Sequence, residues 1–465
     1  MDLDHLPVRS GVHDDTEGEV VRLRDESAQR LSLAPENDAE VREVLRLLGQ
    51  PAVLPKETDE ERRARVAVLV AANKNVIHKL QQFNPLLGSK SGTVQQPEKA
   101  EVSDDEEEEE EFYTPASDEL VHSRRFLIRY SMERSRRRLR KCKADADNLD
   151  VNTEITRRRA LNSSVSKLQL EASQVASTRP VSLVRISPNQ SRFASASWDG
   201  GISVFDCESL ESLASLPAHA GKVGGLDWNS EGSLLVTGAD DNYVRLTRYN
   251  GESNGLVNVA TLGGHENRVV NTVFHPSDKY VASASFDTTW RLWDVETAQE
   301  LQLQEGHSKE VYSLSFQPDG ALICSGGLDS LAMVWDLRSG KNIVTLQGHA
   351  KPVYCVDWSS NSHQLATGGG DGVVNVWDLR KLEQPATKLL AHKSIVSSLR
   401  FERNRGDVLV SGGYDRALNV YSSDNWNKIC CLEGHTDKLL GVDVAGDCKY
   451  LVSSGWDRSV KLWKN

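Results

Sequence analysis

The sequence predicts an all-β, seven-bladed propeller preceded by an N-terminal extension that is mostly helical and partly disordered. One observation is a repeat of 42 to 46 residues, with Gly-His near its start and Trp-Asp near its end. A second is fixed spacing: in four units a His precedes an Asp by 22 residues, and that Asp precedes a Trp by 6. This period and these dipeptides are typical of the WD repeat, each copy of which forms a four-stranded blade.

A hydroxyl residue stands four positions before the Asp in all seven repeats. We interpret the recurring Trp, Ser or Thr, His and Asp as a hydrogen-bonded network within each blade, because buried polar groups need partners. A hydrolase triad has similar residues, but it occurs once in a protein, whereas this set repeats through the scaffold. The predicted network residues are His265, Ser283, Asp287, Trp293, His307, Ser325, Asp329, Trp335, His349, Thr367, Asp371, Trp377, His435, Ser453, Asp457 and Trp463.

Three repeats depart from this pattern. The repeat around Asp199 has no Gly-His, and Thr247 and Tyr421 replace the Trp in the second and sixth repeats. The chain continues only two residues past Trp463, so the last blade lacks its outer strand. We expect the segment 165–170 to supply that strand and close the ring, which would remove exposed strand edges.

Composition limits the class of protein. Charged residues make up 26% of the 465 residues, and the net charge is −12. The cysteines are odd in number and form no Cys-x-x-Cys pair, which favours a reducing compartment over a disulfide framework or a structural zinc site. The start is acidic and no apolar run could span a membrane, so we expect neither a signal peptide nor a membrane segment.

The sequence motifs do not indicate a catalytic site. The sequence contains no phosphate-binding loop, no cluster with metal-ligand spacing and no isolated nucleophile motif. We therefore predict a protein that is not an enzyme and has no metal, no cofactor and no small-molecule substrate.

Composition and periodicity also divide the chain into segments. Acidic sequence without periodicity predicts disorder, apolar residues at helical spacing after capping residues predict helices, and eight consecutive acids predict an extended linker. The predicted organisation is a disordered acidic N-terminus (1–36), a helical motif (37–83), a disordered acidic linker (84–116), a basic helix (117–147), a connector with the ring-closing strand (148–177) and the propeller (178–465).

The helix predicted from Ser117 is strongly basic. Arginine outnumbers lysine there, and its planar fork suits phosphate, so we expect RNA contact with steep salt dependence. A nuclear-localisation patch or a solvated helix are the alternatives. The candidate RNA- or particle-binding residues are Arg124, Arg125, Arg129, Arg134, Arg136, Arg137, Arg138, Arg140, Lys141 and Lys143, with Arg62, Arg63 and Arg65 in the earlier helical motif.

Aromatic residues recur directly before the Asp of several repeats, at positions expected on one rim of a propeller. Those of blades 6, 7 and 1 would form a contiguous arc flanked by arginines, a composition typical of protein interfaces that could also stack bases. The alternative is that each ring packs against a neighbouring loop. The candidate interface residues are Trp198, Phe286, Tyr414, Arg416, Trp456 and Arg458.

The extension resembles a known family. The segment 41–51 reads VREVLRLLGQP, 61–65 reads ERRAR, and 113–139 reads YTPASDELVHSRRFLIRYSMERSRRRL. These are similar to the splicing-factor motif and basic helix of the pre-mRNA processing factor 4 family, the WD-repeat proteins of the U4/U6 small nuclear ribonucleoprotein (snRNP). The order of motif, charged linker, basic helix and blades is also similar. The sequence departs at 54–57, where Leu-Pro-Lys-Glu replaces the Leu-Phe-Gly-Glu usual in the family.

The resemblance implies a non-catalytic scaffold of the U4/U6 snRNP and the U4/U6·U5 tri-snRNP in the nucleus. The implied partners are the U4/U6 snRNA duplex, a protein similar to pre-mRNA processing factor 3, a spliceosomal cyclophilin and other tri-snRNP proteins. A WD-repeat adaptor of another machine, such as a ubiquitin-ligase substrate receptor or a chromatin complex, is the alternative. In that case the basic helix would have no evident role.

Overall fold

The computed structural model describes residues 41, 42, 45, 58, 59 and 62–66 and then 117–465, except residues 252 and 383. The chain divides into two compact units, Met1–Glu110 and Glu111–Asn465. In the first unit, residues 41, 42, 45, 59 and 62–66 are helical, and Val41 and Leu45 are buried as their helical spacing predicts. The predictions for 1–36 and 84–116, and most of those for 37–83, lie outside the described residues.

Two helices precede the propeller in the second unit. Helix α1 (Asp118–Asp147) begins after Ser117, whose hydroxyl accepts a hydrogen bond from the Leu120 N–H and thereby caps the first turn. Helix α2 (Val151–Val165) begins after Asp150, which accepts the Asn152 N–H in the same way. The sequence had predicted only a connector at α2, because its few apolar residues follow no clear helical period.

Seven four-stranded antiparallel sheets form the propeller, as the repeat predicts. Blades 1 to 4 each use four consecutive strands. They are β2 (Val181–Ile186), β3 (Arg192–Ser197), β4 (Gly201–Asp206) and β5 (Ser212–Pro217); β6 (Val223–Trp228), β7 (Leu234–Ala239), β8 (Tyr243–Asn250) and β9 (Gly255–Gly263); β10 (Val269–Phe274), β11 (Tyr280–Ser285), β12 (Trp290–Asp294) and β13 (Glu300–Gln304); and β14 (Val311–Phe316), β15 (Leu322–Gly327), β16 (Leu331–Asp336) and β17 (Lys341–Gln347).

Blades 5 and 6 follow the same order, and blade 7 takes its fourth strand from the start of the unit. The strands are β18 (Val353–Trp358), β19 (Gln364–Gly369), β20 (Val373–Asp378) and β21 (Thr387–Leu390); β22 (Val396–Phe401), β23 (Val408–Gly413), β24 (Ala417–Ser422) and β25 (Lys428–Glu433); and β26 (Leu439–Val444), β27 (Tyr450–Gly455) and β28 (Ser459–Lys464), which pairs with β1 (Gln169–Val175).

Strand β1 closes the ring as predicted, but it overlaps only the last two residues of the predicted segment. The expected segment was 165–170, whereas β1 runs from Gln169 to Val175 and pairs antiparallel with β28. Val165 ends α2 instead, and its buried side chain packs against apolar residues of blades 6 and 7. Val165 and Leu168 are therefore buried at the end of a helix and in the turn after it, before the strand begins.

Neighbouring blades are joined by buried contacts between their inner strands. The carboxylate of Asp443 accepts the Ile186 N–H at 2.7 Å across the junction of blades 7 and 1. Asp227 accepts the Phe274 N–H, and Asp357 accepts the Phe401 N–H, in the same manner. These bonds satisfy inner-strand amides that face the adjacent sheet, and they join blade 7 to 1, blade 2 to 3 and blade 5 to 6.

Candidate nucleic-acid interface and docking surface

The predicted blade network is present in all four regular repeats. In the fourth blade the His307 Nδ1–H donates to Asp329 Oδ2 at 2.9 Å, since a carboxylate can only accept. The Ser325 hydroxyl lies 2.7 Å from His307 Nε2 and accepts the indole N–H of Trp335 at 2.8 Å. The equivalent bonds join the residues predicted around His265, His349 and His435.

Hydrogen bonds within the network stabilise the ionised carboxylates. Burial alone would raise the pKa of Asp329, but hydrogen bonds from His307 and from the Leu331 and Ser308 N–H groups outweigh it and hold the pKa below its usual range. The hydroxyl of Ser325 is fully buried and engaged on both sides. The network therefore has a structural role: its hydrogen bonds hold the strands and loops of one blade together.

The structure extends the network to repeats where sequence reasoning found only part of it. His392 bonds to Asp415 and Ser411, but the repeat pattern does not reveal it, because its spacing to Asp is 23 and it follows Ala. His219 bonds to Asp241 and Thr237, although Thr247 replaces the Trp. In blade 1 the Ser177 hydroxyl occupies the His position, 22 residues before Asp199, and donates to that carboxylate at 2.5 Å.

Helix α1 lies against blades 3 and 4 through one face. Leu120 and Leu127 are buried in a cluster that includes Trp290 and Trp335. The Tyr130 hydroxyl donates to the Pro276 carbonyl at 2.5 Å. The helix therefore has a fixed inner face, so its basic residues have defined directions.

Arg138 belongs to this inner face, and its contacts there disfavour it as an RNA-binding residue. Its guanidinium makes a bidentate ion pair with the buried carboxylate of Asp319, with Nη2 at 2.8 Å from Oδ2. Ser135 donates to the same carboxylate at 3.0 Å. Arg124 also turns towards the propeller, with Nη2 at 3.5 Å from Gln302 Oε1. Both arginines attach the helix to the blades.

The opposite face of α1 is exposed and basic. Arg125 and Lys143 mark its two ends, about 27 Å apart along the helix axis. We call this surface the outer basic face, and it consists of exposed residues that recur at helical spacing on the side away from Leu127: Arg125, Arg129, Arg136, Arg140 and Lys143.

The remaining candidate cations lie outside this row. Arg134 donates to the Tyr130 hydroxyl at 2.8 Å, Arg137 pairs with Glu133, and Lys141 is exposed beside them. Among the candidates in the first unit, Arg62 is buried, with Nη1 at 2.8 Å from Asp59 Oδ1, whereas Arg63 and Arg65 are partly exposed. Burial therefore disfavours Arg62 as a phosphate contact.

The structure brings the rim aromatics of blades 7 and 1 together. The rings of Trp198 and Trp456 pack edge to face with centroids 5.1 Å apart. Lys438 lies 5.0 Å from the ring of Trp456 and 5.3 Å from that of Tyr414, which joins blade 6 to the same arc. Lys222 lies 5.2 Å from the ring of Trp198.

The cations over these rings are not the arginines that the sequence indicated. Arg416 and Arg458 are exposed at positive φ in their turns, but Lys222 and Lys438, together with Arg268 over Phe286, contact the rings. A shared signal could have found them, because each of the three stands three residues after a network His. The backbone carbonyl of each of these three residues accepts the N–H of the rim residue of the same blade.

The central channel opens between these rim residues. It forms a cavity of about 240 Å³ whose lining includes the rings of Trp198, Phe286, Tyr312, Tyr354 and Tyr414. Among the described residues no group of His, Cys, Asp and Glu could hold a metal ion, and no helix there is long and apolar enough to cross a membrane.

Comparison with known proteins gives the family. Residues 169–206 and 210–247 match the model of the WD domain, G-beta repeat, and 245–465 match that of the IFT122 first beta-propeller. U4/U6 small nuclear ribonucleoprotein PRP4 of Saccharomyces cerevisiae is 49% identical over 437 residues, which cover 93% of this chain and 91% of the yeast protein. The chain belongs to the PRP4 family.

Other relatives match shorter parts of the chain. The human U4/U6 small nuclear ribonucleoprotein Prp4 is 31% identical over 44% of this chain and 36% of its own length. An uncharacterized WD repeat-containing protein of Schizosaccharomyces pombe is 37% identical over 54% of this chain and 52% of its own length. The PRP4-family match to the yeast protein includes most of the extension as well as the propeller, since it covers 93% of the chain.

Proposed function

We propose that this protein is a non-catalytic scaffold subunit of the U4/U6 snRNP and the U4/U6·U5 tri-snRNP, acting in pre-mRNA splicing in the nucleus. The observation that carries the proposal is the 49% identity to yeast PRP4 over 93% of the chain. A match of this extent includes the basic helix and the propeller together, which favours a particle subunit over an adaptor that shares only the blades.

The blade chemistry supports a scaffold. The Ser and His residues that could suggest a hydrolase are buried and bonded to one another in blade after blade. A nucleophile needs an accessible oxygen beside a free base, whereas each of these hydroxyls already lies between an imidazole and an indole. The repeated polar residues therefore stabilise the blades that carry the surface.

The outer basic face supports contact with the U4/U6 RNA duplex. Its five cations lie in one row along α1, while the inner face is held on blades 3 and 4. A fixed row of guanidinium groups can follow a phosphate backbone by displacing counterions, and it needs no particular base sequence. The rim of the propeller is then available to dock proteins, for which a protein similar to pre-mRNA processing factor 3, a spliceosomal cyclophilin and other tri-snRNP proteins are the proposed partners.

Charge reversal on the outer basic face tests the RNA assignment. We expect the triple variant Arg129→Glu, Arg136→Glu and Arg140→Glu to bind a U4/U6 duplex more weakly, because three phosphates lose their cations. The slope of log K against log salt concentration should fall in magnitude by about 2 to 3. Filter binding or fluorescence anisotropy over a range of salt concentrations measures both quantities.

A control variant separates this effect from net charge. Lys341, Lys388 and Lys428 are exposed on outer strands, and their replacement by Glu makes the same change in net charge elsewhere. We expect this control to retain the salt slope of the unmodified protein. Equal slopes in the unmodified protein and the outer-face variant would contradict the assignment of this face to RNA.

A further inference from the structure

The mouth of the channel combines aromatic rings with cations. Phe286 and Tyr312 have ring centroids 6.2 Å apart, and Tyr312 and Tyr354 pack edge to face at 5.1 Å. Trp198 and Tyr414 line the same cavity, and Trp456 packs against Trp198, so every blade except blade 2 contributes one ring. We call these six rings the aromatic mouth.

The aromatic mouth carries three cations that make no ion pair. Lys222, Arg268 and Lys438 each lie over a ring face, at 5.2, 3.7 and 5.0 Å from the nearest centroid. None of them pairs with a carboxylate in the part of the chain that the structure describes. Two acidic residues stand near them: Asp240, which lines the cavity, and Glu310, which occupies the equivalent position in blade 4. The mouth therefore has an excess of positive charge.

Hydrogen-bond donors of the rings are also available at the mouth. Within the described chain, the indole N–H groups of Trp198 and Trp456 make no hydrogen bond, and neither do the hydroxyls of Tyr312, Tyr354 and Tyr414. Indole N–H groups only donate, and phenol hydroxyls donate readily to carboxylates. Donors and cations together present a surface suited to an acceptor with negative charge.

The positive charge is confined to the mouth because acids neutralise the deeper channel. There Arg400 pairs with Asp357 at 3.2 Å and lies 3.8 Å from Asp443. Arg185 is buried at the same level, and its Nε has no hydrogen-bond partner, but Asp443 and Asp227 lie within electrostatic range. An anionic ligand is therefore attracted to the mouth more than to the channel floor.

We propose that the aromatic mouth binds an extended acidic peptide of a partner protein, with its carboxylates on Lys222, Arg268 and Lys438. Apolar atoms of the peptide lie on the exposed ring edges, of which those of Trp456 are the most exposed, at 37% for the residue. This inference rests on the docking role proposed above and assigns to it a position and a partner chemistry.

Ring geometry favours a peptide over RNA. Base stacking needs an open, flat ring face. Here the rings of Trp198 and Trp456 meet at 76°, and those of Tyr312 and Tyr354 at 88°, while the chain's own cations cover faces of Trp198, Phe286 and Tyr414. Exposed edges and donors remain, which suit side chains and carboxylates better than bases.

Peptide binding by the full-length protein tests the proposal. The probe is a fluorescein-labelled peptide of eight glutamates, followed by fluorescence anisotropy, with an eight-residue glutamine peptide and an eight-nucleotide uridine RNA for comparison. We expect the glutamate peptide to bind and the glutamine peptide not to bind. In the variant Lys222→Ala, Arg268→Ala and Lys438→Ala, affinity for the glutamate peptide should fall at least tenfold.

Two further variants identify the surface that binds. Arg129→Glu, Arg136→Glu and Arg140→Glu removes the outer basic face, and we expect it to keep most of the mouth's affinity for the peptide. Lys222→Arg with Lys438→Arg preserves charge, and we expect it to bind as the unmodified protein does. Normal peptide binding by this arginine variant would also show that substitution of these two lysines does not by itself unfold the protein.

Three outcomes would overturn the proposal. They are no binding of the glutamate peptide, a loss that follows only the outer basic face, and tighter binding of the uridine RNA that depends on the mouth cations. Retention of U4 and U6 RNA from nuclear extract is a separate measurement, so failure of the peptide site is distinguishable from failure of the proposed function.

Discussion

At the scale of single residues, the blade network is a buried chain of donors and acceptors in which each member satisfies the next. His307 is held by Asp329 on one ring nitrogen and by Ser325 on the other, and the pair of bonds fixes the loop before β14 against the turn after β15. Removal of one member leaves a buried partner without a bond, which costs more than the bond itself contributes.

Replacement of Asp329 by Ala tests this network. We expect the free energy of unfolding to fall by about 1–3 kcal/mol, because the His307 N–H loses its acceptor in a buried site. Urea or thermal unfolding measures the change. Asp240→Ala is the matched control, since this exposed carboxylate stands at the rim next to a network Asp and should have little effect. Unchanged unfolding of the Asp329 variant would refute the structural role of the network.

A second buried imidazole predicts how stability depends on pH. His275 is fully buried between blades 3 and 4, where its Nε2–H donates to the Gly320 carbonyl at 3.0 Å. Burial lowers its pKa from 6.5 to about 4. Because the unfolded chain takes up this proton first, stability is lost as the pH falls from about 6.5 to about 4, and the loss amounts to about 3 kcal/mol.

The variant His275→Gln tests this pH dependence while keeping an amide donor at the site. We expect its unfolding free energy to change less than that of the unmodified protein between pH 7 and pH 4.5, whatever its absolute stability. His122→Gln, at an exposed position of α1, is the matched control for the change of a His to Gln. Parallel pH profiles for the His275 variant and the unmodified protein would contradict the assignment.

At the scale of elements, α1 has two faces with different tasks. The inner face is apolar and ends in the ion pair between Arg138 and Asp319, whose side chain is 6% exposed. The outer basic face makes no such contact with the described residues of the blades. Sequence composition identified the basic helix, but it could not separate Arg138 from Arg136, because the partner Asp319 lies 181 residues away in a turn of blade 4.

Charge exchange at this ion pair tests how α1 is attached. Arg138→Glu should release the C-terminal half of α1 and cost about 1–3 kcal/mol, since it leaves the buried Asp319 without its cation. The double variant Arg138→Glu with Asp319→Arg should recover part of that loss. Limited proteolysis within α1, together with urea unfolding, measures both. Arg136→Glu is the matched control, because its side chain lies on the outer face.

Local sequence signals explain which elements could be predicted. The fixed spacing of the four regular repeats predicted their networks correctly, whereas His392 was missed because one extra residue in its loop changes the spacing. Helix α2 was missed because its contacts are mostly ionic: Arg157 and Arg158 bind Asp407 of blade 6, so no apolar stripe is needed. The rim cations do not follow from the aromatic pattern, because they stand at a separate position, three residues after the network His.

At the scale of the whole molecule, closure of the ring depends on one pair of strands from opposite ends of the propeller. Strand β1 covers the edge of β28, and Lys461 donates to the Ser173 hydroxyl at 2.7 Å across this pair. Other blades take all four strands from consecutive sequence, so the loss of an outer strand there leaves the ring closed.

Paired prolines test this closure. Adjacent residues of a strand point their N–H groups to opposite sides, so Ala172→Pro with Ser173→Pro must remove a donor that faces β28. We expect a lower melting temperature and greater aggregation, because the edge of β28 becomes exposed. Val344→Pro with Thr345→Pro makes the same change in a regular part of the outer strand of blade 4 and should cost less. Equal losses would show that β1 is an ordinary outer strand.

The RNA that accompanies the protein tests the central claim most directly. We would tag the full-length protein, purify it gently from nuclear extract and sequence the bound RNA. Membership of the U4/U6 particle predicts enrichment of U4 and U6 RNA together. Absence of both RNAs, with the propeller folded and other proteins in the eluate, would contradict the proposed function and would favour an adaptor of a different complex.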